Sequence, residues 1–331
     1  MLKQIYTKRF YESRNFWDLV YEWEDCISHT LQIPIVKESK LFDRILKGIP
    51  GLYWINTRGR LSLCFQMGAE IVPTNYKKLQ EILGLRAKNI EDVIPVIIDF
   101  WQPASDIMAL NRAYSRNKVV LVSSAEAIKF LNDNNAGFNY VHWPLSLPDL
   151  YAITPQTVFE KKYDLAMMGR QNPLLEEFLK KYIETHPDFV YAFKKREDGH
   201  FNYYTNRGEF VGCADDRIGY LQIMRGAKCG LYATPGLDEK SGSNGYNQVT
   251  PRFLELLSSG CHVIARYPEN PDTDFFHISD FSDNIDSYSK FEEALDKARA
   301  SEVDMKKYSD YLSKHYTSVR AKQLQEILNG L

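Results

Sequence analysis

The sequence predicts an α/β protein of two domains with mainly parallel sheets, and three observations predict it. Its 331 residues exceed the roughly 100–200 that one domain usually takes. Short apolar runs alternate with stretches of helical periodicity along the chain, the pattern of strands joined by crossover helices. A proline-rich run, Pro144-Leu145-Ser146-Leu147-Pro148, ends regular structure near the midpoint. The expected domains are therefore 1–150 and 151–331, with the connection between them inside 144–160.

Composition narrows the class. The chain is 44% hydrophobic and 25% charged, ordinary for a folded globular protein. Its 41 basic and 43 acidic residues leave a net charge of −2, without the basic excess that a nucleic-acid partner requires. The denser basic residues of the first 90 positions, such as Lys77-Lys78 and Arg58 with Arg60, suit either a solvated face or an anionic acceptor or membrane surface. The five cysteines contain no CxxC pair, so neither a disulfide framework nor a zinc site is expected, and free thiols fit a reducing cytosol. No signal-like N-terminus and no run of ~20 apolar residues is present. The expected location is cytoplasmic, with peripheral contact at the inner membrane face left open.

In the N-terminal half, residues 15–31 read as an amphipathic helix and 33–36 as a short strand. Strands are expected at 51–56 and 69–72, and a helix at 75–83. Two buried strands follow at 94–100, ending near Asp99, and at 118–122. Ser123 and Glu126 have capping-box spacing for a helix to about Leu131. Residues 140–143 form the next strand, which contains His142.

A new βα series occupies the second half. The expected order is strand 163–168, the turn Gly169-Arg170, helix 173–183, strand 189–193, a short strand within 208–212, helix 215–224 and strand 229–233. A polar, glycine-bearing loop spans 234–250. Helix 251–259, the stop at Gly260, strand 261–265, and closing helices at 291–299 and 308–328 complete it. Strand C-termini in such a sheet make a crevice where ligands bind. Gly169 allows close backbone approach to a phosphate, and Arg170 supplies a charged fork. Gly242, Ser243 and Gly245 offer backbone N–H groups. Glu255 can accept hydrogen bonds from a ribose diol or simply face solvent. A high aromatic content, 13%, suits sugar faces and large cores alike.

The run Thr250-Pro251-Arg252-Phe253-Leu254-Glu255-Leu256-Leu257-Ser258-Ser259-Gly260-Cys261-His262-Val263-Ile264 resembles the donor-site signature of GT-B glycosyltransferases of the "glycosyl transferases group 1" type, including the family 4-like and spore-maturation-like branches. Residues 161–179 and 211–232 resemble other parts of the same C-terminal domain, so the resemblance covers about 160–328 and is weak before that. It implies a GT-B fold, two Rossmann-like domains facing across a cleft, with the last helix packing back on the N-terminal domain. It implies a hexosyltransferase that uses a nucleotide diphosphate sugar, a UDP- or GDP-sugar, and a glycan or lipid-linked glycan acceptor of bacterial polysaccharide biosynthesis. Carried over by position, Glu255 would hold the ribose and Arg252 the diphosphate or sugar. Gly169 and Arg170 would lie at the phosphates, Val211 near the base, and Tyr246 and Asn247 near the donor sugar. Many retaining members carry Glu-x7-Glu; here the first position is Asn247, which leaves stereochemistry open.

An inverting reaction needs a base for the acceptor hydroxyl. Asp99 and then His142 are the candidates, although Asp99 can instead cap a turn and His142 can be a satisfied core residue. No Asp-x-Asp closes a strand, so no essential metal and no resident cofactor are expected. Two rivals remain: a nucleotide-sugar epimerase of the same fold, and a non-catalytic nucleotide- or glycan-binding protein.

Overall fold

The structure, a computed structural model, describes residues 1–9, 17–36, 59–67, 90–134, 139–238 and 242–330. The expected strands at 51–56 and 69–72 and the helix at 75–83 lie outside the described residues. The chain forms two compact units, one of residues 1–144 with 317–331 and one of residues 145–316.

The first unit begins with β1 (Gln4–Tyr6), α1 (Asp18–Leu31), β2 (Ile35–Val36) and β3 (Ser62–Met67). β4 (Val93–Ile98), α2 (Ile107–Tyr114), β5 (Val120–Val122), α3 (Ala125–Asp133) and β6 (Tyr140–His142) follow. The six strands lie in the order β2-β1-β3-β4-β5-β6, and every pairing is parallel. All six residues of β4 are buried, as expected for a parallel strand covered on both faces. On α1, Val20, Trp23, Glu24 and Ile27 are buried, which is one helical face at i, i+3, i+4 and i+7. Ser124, not Ser123, caps α3: its hydroxyl accepts from the Ala127 N–H. The backbone of Ser123 is still engaged with the sheet, where its N–H donates to the Ile97 carbonyl.

The second unit runs β7 (Tyr163–Ala166), α4 (Pro173–Thr185), β8 (Tyr191–Glu197), β9 (His200–Thr205), β10 (Phe210–Cys213), α5 (Arg217–Arg225) and β11 (Ala227–Ala233). It continues with α6 (Arg252–Ser258), β12 (His262–Arg266), α7 (Pro271–Phe275), α8 (Tyr288–Ala300) and α9 (Met305–Leu312). Its sheet has the order β10-β9-β8-β7-β11-β12. The four strands β8, β7, β11 and β12 are parallel, while β9 and β10 extend the sheet as an antiparallel meander. Its core is built from Leu165, Leu175, Leu179, Tyr182, Phe189, Leu231, Ile264, Phe291 and Leu295, among others.

Two expectations are corrected here. The strand expected to stop at Phe193 runs to Glu197 and turns back through Asp198-Gly199 into β9. Both turn residues have positive φ, 51° and 88°, the requirement of a two-residue type I′ hairpin. The single closing helix expected over 308–328 is two: α9, and α10 (Thr317–Asn329). Between them the His315 carbonyl accepts the Leu147 N–H at 2.9 Å and Tyr316 bridges Leu147 in parallel, so the backbone leaves the helix to pair with an extended segment. α10 belongs to the first unit, where it packs against α1 and its Arg320 carbonyl accepts the Trp143 indole N–H at 3.0 Å.

Candidate functional site

In the second sheet the chain goes from β7 to its neighbour β8 on one side and later returns to β11 on the other. That reversal is a topological switch point, and the crevice beyond the strand C-termini there is where open α/β sheets bind ligands. A pocket lies in this place, with about 320 Å³ of empty space that includes open solvent, lined by Arg170, Gln171, Asn172, Ala233, Thr234, Thr250 and Arg252. Three of these follow β7, two end β11, and two open α6.

The segment after β7 is shaped by two local devices. Gly169 has φ +63°, and a Cβ there would lie 2.2 Å from Arg252 Nη2; glycine is needed both for the left-handed backbone and for the approach of the guanidinium. Asn172 then caps α4. Its Oδ1 accepts from the Leu174 and Leu175 N–H groups, and its Nδ2 donates to the Leu237 carbonyl and to Asp238 Oδ2, with Pro173 at the first helical position as expected.

Arg252 is fixed from one side only. Its Nη1 donates to the Arg170 carbonyl at 2.7 Å, whereas its buried Nε has no hydrogen-bond partner. Gln171 also holds a buried, unpartnered Oε1 while its Nε2 donates to the Met168 carbonyl at 2.8 Å. A buried polar atom left unpaired costs about 1–3 kcal/mol, a cost that a polar ligand at these atoms would offset. Burial raises the Tyr203 phenol, against the opposing effects of a Gly169 backbone hydrogen bond and the Arg252 charge; it remains neutral beneath the cation. Tyr232, pushed up by burial to about 12, accepts the Thr250 N–H at 3.1 Å and so anchors the start of α6.

Glu255 faces inward. It is 3% exposed, and its Oε1 pairs with Arg217 Nη1 of α5 at 2.7 Å. The half-buried Tyr220 lies in the field of Glu255, Arg252 and Arg217, its phenol raised first by desolvation and next by the Glu255 carboxylate, to about 12. Arg217, Gln171, Asn172, Thr234 and Thr250 were not singled out from the sequence. Asn172-Pro173 is a helix-start signal that points to Asn172; an arginine at the first position of a helix, as Arg217 is, carries no comparable signal.

Arg170 and Arg252 thus line one pocket, with Gly169 against the Arg252 guanidinium, and Tyr220 lies in the field of both Arg252 and Glu255. Asn247 joins at one remove, since its Oδ1 accepts from the Thr234 hydroxyl at 2.8 Å. Tyr246 is buried, Ser243 is buried with an unpartnered Oγ, and Gly242 is exposed; none of the three lines the pocket. Val211 sits on β10, with Gly212 beside Ile223 of α5. In the first unit, Asp99 follows β4 with φ +56°, a strained value for a non-glycine residue. His142 ends β6 and is lowered to about 4, first by burial and then by the Arg320 charge; it is neutral at pH 7. Among the described residues no helix is long and apolar enough to cross a membrane.

No protein-family model matches the chain, and no curated protein matches it. Solved structures do. A Listeria monocytogenes protein provisionally assigned as a UDP-N-acetylglucosamine 2-epimerase aligns over 99% of this chain and 96% of its own at 8% identity and a TM-score of 0.51. The fold is that of the GT-B class. At that identity the likeness concerns the pair of Rossmann-like α/β domains and nothing finer. An S. aureus MnaA–UDP structure covers 98% and 95% at 10% identity and a TM-score of 0.47. A glycotransferase of kitacinnamycin covers 98% of both chains at 10% identity and a TM-score of 0.43.

Proposed function

We propose that this GT-B chain is a glycosyltransferase that moves a hexosyl group from a nucleotide diphosphate sugar to a hydroxyl of a glycan or lipid-linked glycan acceptor. The observation that carries the proposal is the pocket at the β7/β11 switch point, with the Arg252 guanidinium held against Gly169 and its Nε unpartnered. In this reading Arg252 and the Gly169-Arg170 backbone take the diphosphate. As the sugar C1–O bond breaks, negative charge grows on the departing phosphate, and a fixed guanidinium stabilises it without having to reorganise. No metal is needed for that charge in this scheme.

Glu255 is the proposed ribose contact, one carboxylate oxygen held by Arg217 and the other turned to the diol. Val211 is proposed near the base, and Tyr246 and Asn247 near the sugar. Asp99 and His142 are the proposed bases for the acceptor hydroxyl; the neutral imidazole of His142 is in the protonation state a base requires. The donor is a UDP- or GDP-sugar, and the protein is proposed to act in the bacterial cytoplasm, touching the membrane surface where its acceptor is lipid-linked.

The test is a thermal-shift panel of UDP-, GDP-, ADP-, CMP- and dTDP-sugars, followed by product analysis with the nucleotide that binds. A ligand at about 100 times its Kd adds roughly 2.7 kcal/mol to the native state. One nucleotide should stabilise the protein, and release of free nucleoside diphosphate should depend on added acceptor. A changed sugar still attached to its nucleotide would make it an epimerase. Binding without turnover would make it a binding protein.

A further inference from the structure

Away from the pocket, the β9/β10 ribbon carries a second cluster. Directly opposed residues of an antiparallel pair share a face, and so do residues two apart on one strand. Cys213 pairs with Asn202, which puts His200, two residues earlier on β9, on that same face; Asp215 follows two residues beyond the end of β10. The side chains follow: one ligand-type atom each from His200, Cys213 and Asp215 lies within 4.8 Å of the others. The backbone scaffolds the group, since the Ala214 N–H donates to the Phe201 carbonyl and the Phe201 N–H donates to Asp215 Oδ1 at 2.8 Å. His200 Nδ1 bonds to Asp215 Oδ2. The neighbouring carboxylate, Asp216, is engaged elsewhere as the cap of α5 through the Gly219 N–H at 2.7 Å.

We propose that His200, Cys213 and Asp215 bind a divalent transition metal, zinc being the expected ion, with three protein ligands and an open fourth position. Imidazole, thiolate and carboxylate are the three zinc ligand types, at about 2.0–2.3 Å from the ion. In a tetrahedron with those bonds the ligand atoms stand about 3.5 Å apart, so binding replaces the His200–Asp215 hydrogen bond by bonds to the ion, a small adjustment that the exposed His200 side chain can make. The thiol beside the His200–Asp215 pair gives the set its preference for zinc over magnesium or calcium. On binding, the Cys213 S–H bond breaks, its proton goes to solvent, and the sulfur forms the bond to the metal. The site is separate from the proposed donor pocket and does not rest on the proposed activity.

The test is titration of the metal-free protein with Co2+, a spectroscopic stand-in for zinc. One equivalent should produce a thiolate-to-cobalt charge-transfer band in the near ultraviolet, displaced by Zn2+ and untouched by Mg2+. Cys213→Ser should abolish the band, and His200→Ala should weaken binding at least about tenfold, the lower limit for loss of even an outer partner. No band in the native protein, or a band that survives Cys213→Ser, would overturn the proposal. Alkylation gives a readout needing no variant: Zn2+ should slow iodoacetamide labelling of Cys213, measured by peptide mass spectrometry, and an unchanged rate would contradict it.

Discussion

Glu255 and Arg217 allow the most informative perturbation. The two side chains are 4% and 15% exposed and 2.7 Å apart, so removing either leaves the other charge buried without its counter-ion. For a buried pair that costs about 3–5 kcal/mol. At roughly 2–4 °C per kcal/mol for a unit of 150–250 residues, Glu255→Ala should lower the Tm by about 6–20 °C, and Arg217→Ala by a similar amount. Replacing both by apolar residues of similar size, Glu255→Leu with Arg217→Met, should recover most of the loss, because neither charge is then stranded. The assay is urea unfolding of the wild type, of Glu255→Leu and Arg217→Met singly, and of the double variant. A double variant whose loss equals the sum of the singles, with a coupling below about 0.5 kcal/mol, would refute the pairing. The cycle also governs how ligand binding is read: loss of nucleotide binding in Glu255→Ala alone mixes instability with a lost ribose contact, whereas loss in the stable double variant reports the contact.

Gly169→Ala should cost about 1–2 kcal/mol for the left-handed backbone and, because its Cβ would displace Arg252, should weaken nucleotide binding by more than its effect on folding; urea unfolding and a nucleotide titration separate the two. Asn172→Ala removes the α4 cap and should destabilise the protein by about 1 kcal/mol, read as a lower urea midpoint. Glu24 is raised to about 7, chiefly by burial and against its hydrogen bond from Thr7 and the Arg9 charge. Its folded form therefore holds a proton that the unfolded chain releases near 4.5. The stability it contributes is complete below pH 4.5 and falls away as pH rises to about 7, a change of about 3 kcal/mol. Glu24→Gln should flatten that slope between pH 4.5 and 7, and an unchanged difference from the wild type across the window would contradict the assignment.

Most strands buried on both faces were legible in the sequence; β3, buried at Ser62, Leu63, Cys64 and Phe65 between β1 and β4, was not, because Ser62 and Gln66 shorten its apolar run. The runs at 94–100, 118–122, 163–168, 229–233 and 261–265 are continuous apolar stretches because parallel strands leave no face to solvent. β9 was missed for the converse reason. His200-Phe201-Asn202-Tyr203-Tyr204-Thr205 lies in an antiparallel extension with Tyr203 and Thr205 buried and the rest half-buried or exposed, so polar residues break up its apolar ones, and the Asp198-Gly199 turn was its legible mark. β1 has three residues, too few for any periodicity to show. The pocket was half legible: Gly169, Arg170 and Arg252 stand at strand–helix junctions that a motif can mark, while Arg217 reaches Glu255 through a fold contact that local sequence does not encode. The break at 313–316 is likewise a tertiary effect, decided by the hydrogen bond between Leu147 and His315.

Arg252 at the β7/β11 switch point is proposed to receive the diphosphate of a nucleotide sugar. That contact is tested most directly by a crystal structure with the nucleoside diphosphate selected in the binding panel. A phosphate oxygen is expected within about 2.7–3.2 Å of Arg252 Nε, the atom that has no hydrogen-bond partner in this structure, with the ribose at Glu255. A diphosphate bound elsewhere, with Arg252 Nε still unpartnered, would contradict it.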